Sequence, residues 1–372
     1  MADLDYPSVD VTLATSAPPF NSGEIEMTLQ MKLTLFGVGT VIQPVIIFVG
    51  FISNVVNAVI FLKMGLKDSI SLCFWVLSCT DMFSLVLLFA IRYVTNFPLY
   101  LPAGVHIDSL TLVFLIVYYY LFVYDISQLI TAYIAVQKCF CVALPFKFRT
   151  TFTRLRSFLV IAAISLACLA LYVPIFTAQG ISEAKNAQDN STQLLFWTSS
   201  SRANIIVVVN FWGILLPTAC QITVMACLVV LVGSLKESSK FRQSLLSSPD
   251  DVSVVNGRCK DNAVGAGMSQ KGSADADGSR KVRKRSKEMQ AVYSATFVSL
   301  IFVMCNFPRL LISYTSLVQP EFNLLRRYAG IYILLNIFRN TFEALSSSLN
   351  IFVFLKFNTR FRNTLLGCRV RG

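Results

Sequence analysis

Seven stretches of this chain are predominantly apolar for twenty residues or more, and that constrains its fold more than any other feature. They are Thr40–Leu62, Ile70–Ala90, Leu110–Val136, Phe158–Ala178, Ala203–Val232, Ala291–Leu311 and Tyr328–Phe354. Each is long enough to cross a hydrocarbon layer about 30 Å thick at about 1.5 Å per helical residue. With no water there to satisfy the backbone, only helices or a closed barrel can span, and the runs lack the short alternating segments of barrel strands. The expected fold is an all-α membrane protein, a seven-transmembrane helix bundle. A charged fraction of 14%, against about 25% in soluble domains, excludes an ordinary soluble globule.

The net charge of +12 would point to nucleic acid in a soluble protein, but here Lys and Arg cluster between and after the apolar runs. Orientation in a bilayer accounts for them, so no nucleic acid is expected as a partner. One side receives Lys63 and Lys67, then Lys138, Lys147, Arg149, Arg154 and Arg156, the basic residues from Lys236 to Lys287, and Lys356 onward. That side is cytoplasmic by the positive-inside rule, which puts the N-terminus outside. Residues 1–39 form an extracellular tail without an apolar signal core, 40–354 the membrane domain, and 355–372 a cytoplasmic tail. Asn190-Ser191-Thr192, a glycosylation sequon, falls on the outer side. Residues 234–288 turn abruptly to Ser, Gly, Asp and Lys and are expected to be a disordered cytoplasmic loop. Its basic end, Arg280 to Lys287, reads as a contact for anionic membrane lipid or as a partner site. The ten Cys lie in apolar runs or beside basic segments and define no disulfide framework. His106 is the sole His, so a His metal site is not expected.

Ionisable residues are costly in a membrane interior and become candidates for function. Asp81 sits mid-span with no basic residue near it in sequence. Asn54 and Asn57, Asp125, Ser127 and Gln128, and Asn306 and Arg309 join it from other spans. Arg339, Asn340, Glu343, Ser346, Ser347 and Asn350 crowd the last, where Glu343, Ser346, Ser347 and Asn350 share one helix face. Such residues glue helices together, and a switching role is additional. Pro44, Pro174, Pro217 and Pro308 can kink their helices.

Together these features resemble the rhodopsin-like (class A) G-protein-coupled receptors over roughly residues 40 to 366. Gly50 to Asn54 is similar to that family's first-helix motif, and Leu77 to Asp81 to its second. Phe302-x-x-Cys305-Asn306-Phe307-Pro308 resembles the sixth-helix motif with Asn306 in place of its Trp, and the seventh ends at Phe354 where the family has Tyr. The resemblance implies that Asn54, Asp81, Ser127, Ser346, Ser347 and Asn350 line a polar switch pocket able to hold an allosteric sodium ion. It places Gln137, Lys138 and Cys139 at the Asp-Arg-Tyr position, with Pro145 and Phe146 after them, as the surface for a heterotrimeric G protein. Lys138 and Glu288 are then either a lock or two unpaired surface charges. Pro217, Phe302, Cys305, Asn306, Pro308 and Phe354 are the implied activation-motif positions. Phe357 to Arg362 resembles a short amphipathic eighth helix, and Cys368 a palmitoylation site or an unmodified thiol. The runs at Phe61–Asp68 and Gln137–Lys147 are similar to divergent invertebrate receptors, grouped as molluscan chemosensory or FMRFamide-type peptide receptors.

The implied ligand is an extracellular small molecule or peptide, received at the plasma membrane. Tyr120 stands where amine receptors carry Asp, and Ala344 where opsins carry the retinal Lys, so neither ligand is expected. Arg92, Arg309 and Arg339, with Tyr120, Tyr124 and Glu343, suggest a pocket for an anionic ligand; alternatively Arg309 or Arg339 neutralises Glu343 or Asp125. The rival class is a ligand-gated channel or transporter of chemosensory type, but no repeated halves are found. No metal cluster or nucleophile–base motif is present, so an enzyme is not expected.

Overall fold

The computed structural model describes residues 29–96, 105–107, 109–185, 192–246, 272–323 and 326–367. Those residues are predominantly helical. In chain order they form α1 (Leu29–Phe36), a π-helical segment (Gly37–Ile42), α2 (Gln43–Met64), α3 (Ser69–Asn96), strand β1 (Val105–Ile107) and α4 (Ser109–Ala143). Then follow α5 (Pro145–Thr151), α6 (Arg154–Thr177), strands β2 (Gln179–Lys185) and β3 (Thr192–Thr198), α7 (Arg202–Leu246), α8 (Gly272–Val318), α9 (Ala329–Phe357) and α10 (Thr359–Leu365).

Six helices among the described residues are long and apolar enough to cross a membrane: Leu29–Met64, Ser69–Val94, Leu112–Ala143, Arg154–Thr177, Arg202–Ser234 and Thr296–Val318. They mark a membrane protein. Their outward faces carry Phe48, Phe83, Phe89, Val207, Phe211, Ile222, Val229 and Met304 exposed, a surface suited to lipid rather than water. The expected seventh span, α9, has the length at 29 residues, but Arg339, Asn340, Glu343, its serines and Asn350 dilute its apolar content. It lies outside the six.

The helices pack as a closed ring. α2 lies against α3 and α9, α3 against α4, α4 against α7, α7 against α8, and α8 against α9; α6 sits outside, against α3, α4 and α7. α4 also reaches α8 across the middle, which makes it the central helix. The ring closes tightly between α2 and α9. Asn54 Nδ2 donates to the Ser347 carbonyl at 3.0 Å, and Ser348 Oγ to the Ile46 carbonyl at 3.2 Å. This approach requires Gly50, since a Cβ there would stand 2.2 Å from Ser348 Oγ and 3.0 Å from Leu85 Cδ1.

At one end of the bundle, buried Phe61, Phe74, Phe354 and Phe361 form an aromatic knot, with Phe74–Phe354 centroids 4.7 Å apart and Phe354–Phe361 5.6 Å. It seats α10 under α2, where Arg360 Nη2 donates to the Met64 carbonyl at 2.7 Å. α2 stops there because Gly65 takes φ +80°, a conformation that favours glycine.

Several sequence expectations are corrected. The protein is not all-α: β1, β3 and β2 form a three-stranded sheet at the opposite end, β1 parallel to β3 and β2 antiparallel to it with Ile181 opposite Phe196. Phe196, Trp197 and Thr198 favour strands, and the Trp197 ring covers Gly180, where a Cβ would meet its Nε1 at 2.6 Å. The first helix starts at Leu29, not Thr40, so residues 29–39 of the expected tail are helical. α7 runs on to Leu246 and α8 begins at Gly272, so the expected disordered loop at 234–288 is helical at both ends. Lys, Arg, Glu and Ala there propagate helix well; residues 247–271 lie outside the described residues.

Gly50→Ala is expected to lower thermal stability in detergent by about 1–3 kcal/mol through overpacking. Adding Ser348→Ala should restore part of that loss; equal melting temperatures for all three proteins would contradict the close approach. Phe361→Ala, emptying the aromatic knot, should cost about 3–5 kcal/mol on the same assay.

Candidate functional site

The polar residues of the spans converge on α4. Three of its side chains engage α8 within one turn of each helix. Asp125 Oδ1 accepts from Arg309 Nη2 at 2.9 Å, and both side chains are buried. Asn306 Oδ1 accepts from Tyr124 Oη at 2.8 Å and Gln128 Nε2 at 2.5 Å. The Arg309 guanidinium also lies over the Tyr124 ring, 5.2 Å from its centroid, and Tyr172 of α6 donates to Asp125 Oδ2 at 2.7 Å. α4, α6 and α8 are thus pinned together at mid-height by a charge-assisted cluster. Hydrogen bonds to ionised groups are about twice as strong as neutral ones. Two atoms of the cluster are left over: Arg309 Nη1 and Gln128 Oε1 are buried without a partner among the described residues.

Directly beside this latch is a cavity of about 20 Å³, lined by Asp81, Tyr124, Ser127, Gln128, Thr131, Val298, Phe302, Asn306, Ser346, Ser347 and Asn350. It has room for a water or a small ion. Asp81 Oδ1 accepts from Ser127 Oγ at 2.5 Å and Oδ2 from Asn350 Nδ2 at 3.3 Å, with Ser347 also in hydrogen-bonding reach. Asn54, Asp81, Ser127, Ser346, Ser347 and Asn350 therefore meet as one neighbourhood where α2, α3, α4 and α9 adjoin. Asn54 is at its edge, tied to α9 rather than to Asp81.

Nearer the sheet, Tyr120 donates to Glu343 of α9, whose other oxygen lies 3.5 Å from Arg339 Nε. Arg92 of α3 is within electrostatic reach of Arg339 and Tyr120, and its buried Nε has no partner. Of the residues expected to bind ligand, Tyr120, Glu343, Arg339 and Arg92 group together here. Tyr124 and Arg309 belong to the latch instead.

Toward the aromatic knot, Gln137 does not face outward. It is fully buried and donates to Ser69 Oγ at 2.8 Å and Ser157 Oγ at 3.0 Å; Tyr133 and Ser157 share a hydrogen bond at 3.0 Å. Here an amide joins α3, α4 and α6. Lys138 Nζ lies over the Phe74 ring at 5.7 Å, beside a small void shared with Ala135 and Val298. Cys139 packs among Ala135, Val224, Cys227 and Phe302. Pro145 opens α5, with Phe146 exposed. Glu288 lies in α8, but its side chain is outside the described residues, as are Asn190 and Cys368 altogether. Pro217 and Pro308 sit inside continuous helices; Phe302 and Cys305 are buried, and Phe354 is in the knot. Among the described residues no cluster of His, Cys, Asp or Glu suits a metal ion.

Sequence reasoning missed Tyr172 and the inward turn of Gln137. A tyrosine within a span is itself a signal, because its hydroxyl needs a partner when buried. No protein-family model matches the chain, and no curated protein matches it in sequence.

Removing one partner of the Asp125–Arg309 pair strands a buried charge, so Asp125→Asn or Arg309→Gln should each destabilise by about 3–5 kcal/mol. Asp125→Leu combined with Arg309→Met should recover most of that loss. Additive losses, measured as melting temperatures in detergent, would contradict a direct pair.

Proposed function

We propose that this chain is a rhodopsin-like G-protein-coupled receptor with α9 as its seventh span and α10 as its eighth, amphipathic helix. In this reading the N-terminus and the sheet face outward at the plasma membrane, and the aromatic knot faces the cytoplasm. The observation that carries it is the polar axis inside the helix ring: a buried Asp81 cavity beside an α4–α8 latch, between the sheet end and the aromatic-knot end of the bundle. A ligand between the sheet-side halves of the helices favours one of two bundle arrangements and shifts their populations. Releasing Asn306 and Arg309 from α4 lets α8 pivot near Pro308, opening the end that bears Lys138, Pro145 and Phe146 to a heterotrimeric G protein.

Asp81 with the hydroxyls of Ser127 and Ser347 offers hard oxygen donors of the kind small cations take. A sodium ion held there would neutralise Asp81 and stabilise the closed arrangement. Sodium chloride is therefore expected to raise the melting temperature over choline chloride in the wild type but not in Asp81→Asn. Equal responses of both proteins would count against an ion at Asp81.

The receptor reading is tested in cells carrying a promiscuous G protein, by calcium responses to pooled neuropeptides and water-borne odorants including amino acids. A response that weakens in Asp81→Asn or Lys138→Ala at unchanged surface level is the expected result. Silence across all pools, with the protein at the surface, would contradict it.

A further inference from the structure

Between the sheet and the Asp81 cavity the described interior carries more positive than negative charge. Asp125 is matched by Arg309 at 2.9 Å and Glu343 by Arg339 at 3.5 Å. Arg92 makes no ion pair or hydrogen bond among the described residues, its Nε is buried without a partner, and it is within reach of Arg339, a like charge. Uncompensated charge withdrawn from water is costly, so among the described residues this site is short of one negative charge.

The surroundings define what would supply it. Ile47, Leu88, Ile91, Tyr120, Tyr124 and Ala344 form one apolar cluster joining α2, α3, α4 and α9. Arg92 adjoins Ile91, one turn from Leu88 toward the sheet; Arg339 is one turn from Glu343 in the same direction. Gln43 lies one turn from Ile47, also toward the sheet, and so reaches the same level from α2. It is fully buried, and neither its amide nitrogen nor its oxygen has a partner, a state that costs about 1–3 kcal/mol for each unsatisfied group. Among the described residues, a guanidinium lacking an anion and an amide lacking a partner thus stand above an apolar floor at one junction.

We infer that this junction of α2, α3, α4 and α9 receives a monoanionic carboxylate with an apolar body, anchored by Arg92. Arg339 contributes through its field and Gln43 through its amide N–H. The guanidinium fork matches a carboxylate in two parallel hydrogen bonds. Arg309 is excluded as the anchor, because Asp125 already engages it. This inference rests on the sheet end being the ligand face, and it separates the three arginines that the sequence grouped together.

The test uses purified full-length protein in phosphatidylcholine nanodiscs, without G protein. Melting temperature is read with sodium propionate, with sodium fluoride at the same ionic strength, and with the neutral isostere propionamide. Propionate alone should raise it, by about 2 °C or more near saturation, and Arg92→Gln should abolish the rise while leaving the ligand-free protein at least as stable as wild type. No propionate-specific rise, a rise that survives in Arg92→Gln, or a ligand-free Arg92→Gln protein less stable than wild type would each overturn the assignment. Replacing part of the phosphatidylcholine with phosphatidylglycerol, whose anion is a phosphodiester, adds a control: stabilisation dependent on Arg92 in those discs would overturn the carboxylate assignment in favour of a lipid phosphate, and its absence supports a carboxylate. Propionate binding without any signalling would leave this site standing and remove the receptor reading instead.

Discussion

The Asp125–Arg309 pair, flanked by Asn306 with Tyr124 and Gln128, is the contact on which the arrangement of this bundle depends. In hydrocarbon no hydrophobic force drives one apolar helix against another, because lipid tails are as apolar as leucine. Packing and polar contacts must therefore select which helices meet and in what register. α4 is where that selection happens: along its length it offers Tyr120 to α9, Tyr124 and Asp125 to α8, Ser127 to Asp81 of α3, and Gln137 to α3 and α6. Together these contacts reach α3, α6, α8 and α9, so a rotation of α4 breaks several at once.

Asn306 explains how the latch and the cavity act together. Its carbonyl oxygen is shared by Tyr124 and Gln128, and all three line the cavity that holds Asp81. Any displacement of α8 at Asn306 changes the wall of that cavity, and a change in its occupancy is felt at Asn306. An amide at this position couples the two through hydrogen bonds, where a large aromatic ring would couple through shape. At the other end, Phe354 works by packing: it fixes α9 to α2, α3 and α10 through rings alone, with no hydroxyl to release.

Six of the expected spans were legible because twenty apolar residues in a row have few physical solutions. The Asp81 neighbourhood was legible too, since polar groups in hydrocarbon must find one another and Asp81, Ser127, Ser347 and Asn350 are among the few available. The sheet was not, because Gln179–Lys185 and Thr192–Thr198 are short and polar in part, and neither shows the alternation that marks a strand. Nor could the sequence say which arginine pairs with which acid. Arg309 and Arg339 are equally plausible partners for Asp125 and Glu343 until the rotation of each helix is known. Gln137 was read outward from its place in a motif, yet Ser69 and Ser157, distant in sequence, hold it inside.

The polar contacts of Asp125, Asn306 and their partners hold α8 against α4. Pulsed electron spin resonance tests this most directly, with labels at Leu155 on α6 and Tyr293 on α8, in a background whose reactive cysteines are replaced. In the Asp125→Leu, Arg309→Met, Asn306→Leu protein the distance distribution is expected to broaden and lengthen relative to the unsubstituted latch, without loss of folded protein. A distribution unchanged by removing all three would contradict the account.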